Sequence, residues 1–202
     1  MTTLKLALVS VYDTTNIVSF AKELSRLGIE IIATGGTLNV LKEGGIRLVK
    51  HVSDVTEFPE ILEGRVKTVH PKLIGGILAL RKKKEHLQDI ARFGIEPIDM
   101  VVCNLYPFEK LTAHHVDLKT ALENIDIGGP NMIRAAAKNF ENVVVVVNPR
   151  RYDQILREIE KKGHVSAETR RILAVEAFKE TAKYESVVYK YLERTLLTKR
   201  SA

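Results

Sequence analysis

Short apolar runs alternate with amphipathic segments along the first fifty residues of the chain. Leu4–Val9, Ile29–Ala33 and Ile46–Val49 are apolar and bounded by turn residues, which predicts three buried strands. Apolar residues at helical spacing connect the first two strands as far as Gly28, and a shorter helix precedes Gly44-Gly45. This alternation of strand and helix predicts right-handed crossovers and a parallel sheet.

The pattern continues in the second half of the chain. Asp99–Leu105 and Val143–Val147 predict two further buried strands. A helix then reaches Lys162, and a long amphipathic helix runs from Ser166 to about Leu197. We expect the tail from Thr198 on to fray. The residues expected on the inward face of the long helix are Ile172, Leu173, Val175, Phe178, Ala182, Val187, Val188 and Tyr191.

Together these elements predict a three-layer α/β fold with a mostly parallel central sheet and added C-terminal helices. We expect a single domain over residues 1–202, with a core over about residues 1–148 and a helical extension over about 149–197. A chain of this length can bury such a core without disulfides.

Charge and cysteine content narrow the function classes. The formal net charge of +6 suits an anionic small substrate or nucleic acid, but no nucleic-acid-binding motif is present. The densest basic cluster, Arg81–Lys84, is typical of a solvated helix face. Cys103 is the single cysteine and lies among apolar residues, which predicts an inert core thiol and a reduced, cytoplasmic setting. We expect neither a signal peptide nor a membrane span.

The histidines do not suggest a metal site. The chain has six, and none shows metal-ligand spacing, so we expect no metal. We expect His114-His115 in an exposed loop. His70, just before Pro71, is more typical of a structural role than of a base.

In an open parallel sheet, ligands bind beyond the carboxyl ends of the strands. The loops expected there are Ser10–Thr14, Thr34–Thr37, Asn104–Phe108 and Asp126–Gly129. Thr34-Gly35-Gly36-Thr37 precedes a helix and offers free N–H groups and two hydroxyls, which suit a phosphate. A plain turn is the more usual explanation of Gly-Gly between a strand and a helix, and the loop has neither Walker nor dinucleotide-fingerprint spacing.

Two further segments carry candidate chemistry. Alternation would turn Arg65 and Lys67 to one side, where two cations can bind a phosphate and an oxyanion, although a solvated edge is also possible. Gly128-Gly129 leave N–H groups uncovered at the start of an Ala-rich helix. Asp126 is either a helix cap or a functional carboxylate, and Tyr106 is either a core residue or a proton donor or acceptor.

At these residues the chain resembles the inosine-monophosphate cyclohydrolase domain of the bifunctional transformylase/cyclohydrolase family of purine biosynthesis. The resemblance covers nearly the whole chain in order. The runs that carry it are Thr34-Gly35-Gly36-Thr37, Gly64–Pro71, Gly75–Leu78, Asn104–Phe108, Ile125–Pro130 and Ala135–Asn139.

The resemblance implies a methylglyoxal-synthase-like fold and closure of a formylated carboxamide ribotide to inosine monophosphate with loss of water, without metal or cofactor. Carried over by position, Lys67 stabilises the formyl oxygen. Tyr106, Asp126 and Lys138 position groups and move protons. The implied substrate-binding residues are Ser10, Thr34, Gly35, Gly36, Thr37, Arg65, Thr68, Asn104, Leu105, Ile127, Gly128 and Gly129.

The chain departs from the family pattern in its first loop. The usual Ser-Val-Ser-Asp-Lys is Ser10-Val11-Tyr12-Asp13-Thr14 here, so a small hydroxyl has become Tyr12 and a phosphate-contacting lysine has become Thr14. Ile74 stands where the family has histidine. The transformylase half is absent, so we expect either a stand-alone cyclohydrolase or one domain of a longer protein. The resemblance also implies a homodimer, with a separate transformylase as a candidate partner.

Three other functions compete with this interpretation. A methylglyoxal synthase would need a Pro-His-Asp-Pro-Asp-like stretch, which the chain lacks. A non-catalytic regulatory module that senses a nucleotide or phosphate would need the phosphate cradle, but not Lys67, Tyr106, Asp126 and Lys138 together. A basic nucleic-acid-binding protein would show a steep dependence of polynucleotide binding on salt.

Overall fold

The computed structural model describes residues 4–113 and 116–197. The expectations for His114-His115 and for the tail from Thr198 lie outside the described residues. Within the described ranges, no helix is long and apolar enough to cross a bilayer.

Five parallel strands form the central sheet of the described chain. They are β1 (Leu6–Val11), β2 (Glu30–Ala33), β3 (Val49–His51), β4 (Met100–Asn104) and β5 (Val144–Val146). Their order is β3-β2-β1-β4-β5, and every neighbouring pair is parallel. The predicted α/β class is confirmed. Because β1 and β4 are central neighbours, their carboxyl ends meet, with Val11 in register with Asn104.

Helices connect and flank the strands. Their bounds are α1 (Ile17–Arg26), α2 (Gly35–Glu43), α3 (Val52–Thr56), α4 (Pro71–Leu78), α5 (Lys84–Arg92), α6 (Phe108–Thr112), α7 (Leu118–Glu123), α8 (Gly128–Lys138), α9 (Tyr152–Lys162) and α10 (Ala167–Leu192). A short 3₁₀ turn precedes α9, and a π-helical turn follows α10. Helix α1 packs against α2 and α9, α4 packs against α8, and α10 packs against α8 and β5.

The third strand begins later than the sequence pattern predicts. Ile46 is buried, but its N–H donates to the carbonyl of Leu41, and Gly45, at φ +87°, donates to Lys42. These bonds close the C-terminus of α2 in the manner of a Schellman motif. Ile46 therefore belongs to the helix end, and the sheet begins at Val49.

The buried face of α10 also differs from the prediction. Leu173, Val188 and Tyr191 are buried as expected, but Val175 is 70% exposed. The buried stripe instead includes small and polar residues, because α10 lies close to the alanines of α8. The other residues of the predicted face that are exposed are Ile172, Phe178 and Ala182.

Candidate active site

A cleft of about 470 Å³ opens at the carboxyl edge of the sheet, beside the ends of β1 and β4. Its walls come from the segment before α4, the residues after α7 and the first turn of α8. The predicted site residues that line it are Ser10, Arg65, Lys67, Thr68, Tyr106, Asp126, Ile127, Gly128 and Gly129.

Close packing at the start of α8 shapes this cleft. A Cβ at Gly128 would overlap the hydroxyl of Thr68, and one at Gly129 would overlap the Asp126 carboxylate and lie 2.6 Å from Leu105 Cδ2. Only glycine allows such an approach. The first turn of α8 is thereby joined to the segment carrying Thr68 and to the loop after β4.

Asp126 is held on both its main chain and its side chain. Its Oδ1 accepts a hydrogen bond from Gly129 N at 2.9 Å, and its own N–H donates to the hydroxyl of Tyr184 at 2.7 Å. Burial raises the pKa of Tyr184, which favours the neutral phenol. Asp126 therefore caps the first turn of α8 while its carboxyl group lines the cleft.

A tight turn presents Arg65 and Lys67. Ile61 and Val66 pair across it, and three consecutive residues, Leu62–Gly64, have φ of 54°, 56° and 86°. Non-glycine residues rarely adopt this left-handed region, so the turn holds some backbone strain.

The two cations of this turn differ in their partners. The guanidinium of Arg65 pairs with Glu123, with Nε 3.0 Å from Oε2. This hydrogen bond holds the pKa of Glu123 below its usual range. Lys67 is exposed, and its ammonium makes no hydrogen bond or ion pair with any residue that the structure describes. Lys67 is therefore available to an anionic group in the cleft.

The loop Thr34–Thr37 lies beside the cleft rather than in its wall. The Thr34 hydroxyl donates to Ser10 Oγ at 3.0 Å, and Thr37 Oγ1 accepts from Val11 N at 2.9 Å. Helix α2 begins at Gly35, and no side chain in the described ranges caps its start. Its first N–H groups therefore form a candidate anion site next to Ser10.

Two predicted site residues contact other parts of the protein and do not line the cleft. Asn104 Oδ1 accepts from the N–H groups of Tyr12 and Asp13 at 2.7 and 2.8 Å, and its Nδ2 donates to Asp13 O at 2.9 Å. This amide thus fixes the loop after β1. Leu105 packs against Gly129 and lines a separate groove.

Lys138 is not brought into the cleft of its own chain. It is the last residue of α8, ten residues beyond Gly128, which corresponds to about 15 Å along the helix axis. There it lines an apolar groove of about 660 Å³ between α8 and α10.

Cys103 and His70 have structural environments. Cys103 is buried, and burial raises the pKa of its thiol. His70 precedes α4, and its Nδ1 accepts from Lys72 N at 3.2 Å, which makes it a helix cap.

Sequence reasoning missed part of the cleft wall. Gly64, directly before Arg65, was the available signal, because glycine there indicates a turn that would bring its neighbours inward. The side chains before and within α8 carry no comparable signal. The missed residues are Glu63, Gly64, Glu123, Asn124, Ile125 and Met132.

Comparison with known proteins agrees with this architecture. Residues 16–131, more than half of the chain, match the model of the MGS-like domain. The chain belongs to the MGS-like domain family. Residues 136–201 match the model of the AICARFT/IMPCHase bienzyme.

Individual relatives of this MGS-like domain match almost the whole chain. The bifunctional purine biosynthesis protein PurH of Thermoanaerobacter sp. (strain X514) is 55% identical over 189 residues, which cover 93% of this chain. PurH of Bacillus subtilis (strain 168) is 49% identical over 191 residues, or 94% of this chain. The chain spans 37% of the length of each of these relatives.

Among solved structures, ForH matches nearly the whole fold. The crystal structure of ForH superposes on this MGS-like domain with a TM-score of 0.81 at 36% identity. The match covers 94% of this chain and 98% of the ForH chain.

The contact between Gly128 and Thr68 gives the first prediction. Gly128→Ala lowers the free energy of unfolding by about 1–3 kcal/mol, because the new Cβ overlaps a buried hydroxyl in a packed site. In a Thr68→Ala background the same change costs less than about 0.5 kcal/mol, because only Thr68 Oγ1 lies too close.

Urea unfolding of the wild type, of the two single variants Gly128→Ala and Thr68→Ala, and of the double variant measures this coupling. A Thr68→Val background is the matched control, since valine keeps an atom where the hydroxyl was and the cost persists. Equal costs of Gly128→Ala in the wild-type and Thr68→Ala backgrounds would show that the two residues are not packed as described.

Proposed function

We propose that the cleft closes 5-formamidoimidazole-4-carboxamide ribotide to inosine monophosphate and water. The observation that carries this proposal is the convergence of Lys67, Tyr106, Asp126 and the first turn of α8 on one cleft. The similarity to PurH over more than nine-tenths of this chain supports it. A regulatory module would need a phosphate site, but it would not need these side chains together.

The proposed reaction is an intramolecular ring closure. The carboxamide nitrogen attacks the formyl carbon, a C–N bond forms, and the formyl C–O bond breaks. The oxygen leaves as water with one proton from each of the two nitrogens. Both reacting groups belong to one molecule, so orientation and stabilisation of the oxygen are the main requirements.

The residues of the cleft divide these tasks. Lys67 stabilises the negative charge that develops on the formyl oxygen, because its ammonium is exposed to the cleft. Tyr106 and Asp126 both line the cleft, where they position the ring-closing groups and exchange protons with them. The N–H group of Gly128 faces the base, whereas that of Gly129 is held by the Asp126 carboxylate.

The ribose phosphate binds at the other end of the cleft. Ser10 offers a hydroxyl there, and the uncapped start of α2 at Thr34–Thr37 adds N–H groups next to Ser10. The hydroxyl of Thr68 lies against Gly128, from where it contacts the ribose. Arg65 contributes its charge after it leaves Glu123. That pair is exposed to solvent, so its release costs little.

We infer that the active form is a homodimer. Lys138 lies about 15 Å along α8 from the cleft of its own chain, so a role for Lys138 in the reaction requires a second chain to supply it. The cytoplasmic setting and a transformylase partner, whether linked or separate, remain predictions alongside this one.

Lys67→Ala tests the proposed reaction. It lowers kcat by roughly 10²–10³-fold, because a preorganised cation acts on charge that develops in the transition state. The free energy of unfolding changes by less than about 0.5 kcal/mol, because the side chain is exposed and has no partner among the described residues. Appearance of inosine monophosphate above the spontaneous rate, followed by absorbance, measures kcat.

The exposed lysine Lys82, in the turn before α5, is the control, and Lys82→Ala retains full turnover. A wild-type protein that produces no inosine monophosphate above the spontaneous rate refutes the proposal. A Lys67→Ala protein that loses activity only as far as it loses stability refutes the role of Lys67.

Co-expression of two inactive variants tests the homodimer. Lys67→Ala and Lys138→Ala are each inactive alone, but a mixture regains about a quarter of wild-type activity, because mixed dimers contain one complete cleft. Sedimentation measures the dimer itself. A fully active Lys138→Ala protein, or a mixture that recovers nothing, contradicts the shared site.

A further inference from the structure

Two tyrosines meet at the wall of the cleft. Tyr12 follows β1 and Tyr106 follows β4, and the parallel register of these strands places the two residues side by side. Their ring centroids lie 4.5 Å apart with an interplanar angle of 74°. This edge-to-face arrangement is a favourable geometry for aromatic rings.

The main chain beneath Tyr12 is held firmly. The N–H groups of Tyr12 and Asp13 both donate to the side-chain carbonyl of Asn104, and the Asn104 amide returns a hydrogen bond to Asp13 O. Three hydrogen bonds therefore tie the loop after β1 to the end of β4. The Tyr12 ring rests on an anchored backbone, although 54% of the residue is exposed.

Tyr106 has no comparable anchor on its side chain. Its hydroxyl makes no hydrogen bond with any residue in the described ranges, and the ring is half-buried. Tyr106 lines the cleft, whereas Tyr12 lines a polar groove on the other side of the pair. The Tyr12 ring thus supports Tyr106 from behind, as seen from the cleft.

We propose that Tyr12 is a positioning residue that holds the Tyr106 ring in the wall of the cleft. This inference rests on the proposed function of the cleft, in which Tyr106 contacts the reacting groups. Tyr12 acts through its ring rather than its hydroxyl. Its loss allows Tyr106 to leave its working orientation, so fewer bound substrates react.

Substitution of Tyr12 by leucine and by phenylalanine tests the proposal. Tyr12→Leu lowers kcat about three- to tenfold with KM changed less than twofold, which is the range expected for one edge-to-face pair. Tyr12→Phe keeps the ring and restores wild-type kcat. Tyr189→Leu, on α10, is the matched control because Tyr189 is similarly exposed, at 57%, and it leaves kcat unchanged.

A double-mutant cycle separates positioning from general destabilisation. In a Tyr106→Phe protein the ring remains, and Tyr12→Leu still lowers the residual kcat. In a Tyr106→Leu protein, Tyr12→Leu has no further effect, because the ring that it supports is gone. The same cycle on the affinity for inosine monophosphate, measured by calorimetry, gives a readout besides turnover.

The outcomes distinguish failure of the proposed function from failure of the proposed role of Tyr12. A wild-type protein without cyclohydrolase turnover overturns the proposed function. A wild-type protein that turns over substrate, together with equal effects of Tyr12→Leu in the wild-type and Tyr106→Leu backgrounds, overturns the role of Tyr12 alone. Failure of Tyr12→Phe to restore kcat also overturns it.

Discussion

The cleft depends on the absence of side chains at the first two residues of α8. At Gly128 and Gly129 the helix start approaches Thr68, Leu105 and the Asp126 carboxylate closely enough that a Cβ would overlap them. This contact joins three segments that are distant in sequence, and it places the start of the helix beside the space between them. A catalytic interpretation of Lys67 and Asp126 is possible because both border that space.

The sequence pattern predicts the sheet well, because buried parallel strands are continuous apolar runs. It fails where burial depends on a neighbour. Ile46 is apolar and buried, yet its N–H closes α2 rather than joining β3. Val175 is apolar, yet exposed, because the close approach of α8 selects the small residues of α10 for the interface. The hydropathy of a residue indicates neither the hydrogen-bond partner of its N–H group nor the size of the side chains on the facing helix.

Prediction of the site shows a similar division. Arg65 lies beside a glycine turn, Tyr106 follows a strand end, and both line the cleft. Their placement could be predicted because turn geometry and strand order can be read from the sequence. Lys138 does not, since the rise of α8 carries it to the opposite end of the helix. Family resemblance transfers the identity of a residue, but it does not say which chain supplies that residue. The pairing of Tyr12 with Tyr106 had no local signal, because it results from the register of two strands.

The most direct test is a crystal structure of this protein with inosine monophosphate. We expect the phosphate beside Ser10 and the start of α2, and the purine ring against the N–H group of Gly128. A nucleotide bound in the apolar groove between α8 and α10, with the cleft empty at saturating concentration, would contradict this expectation.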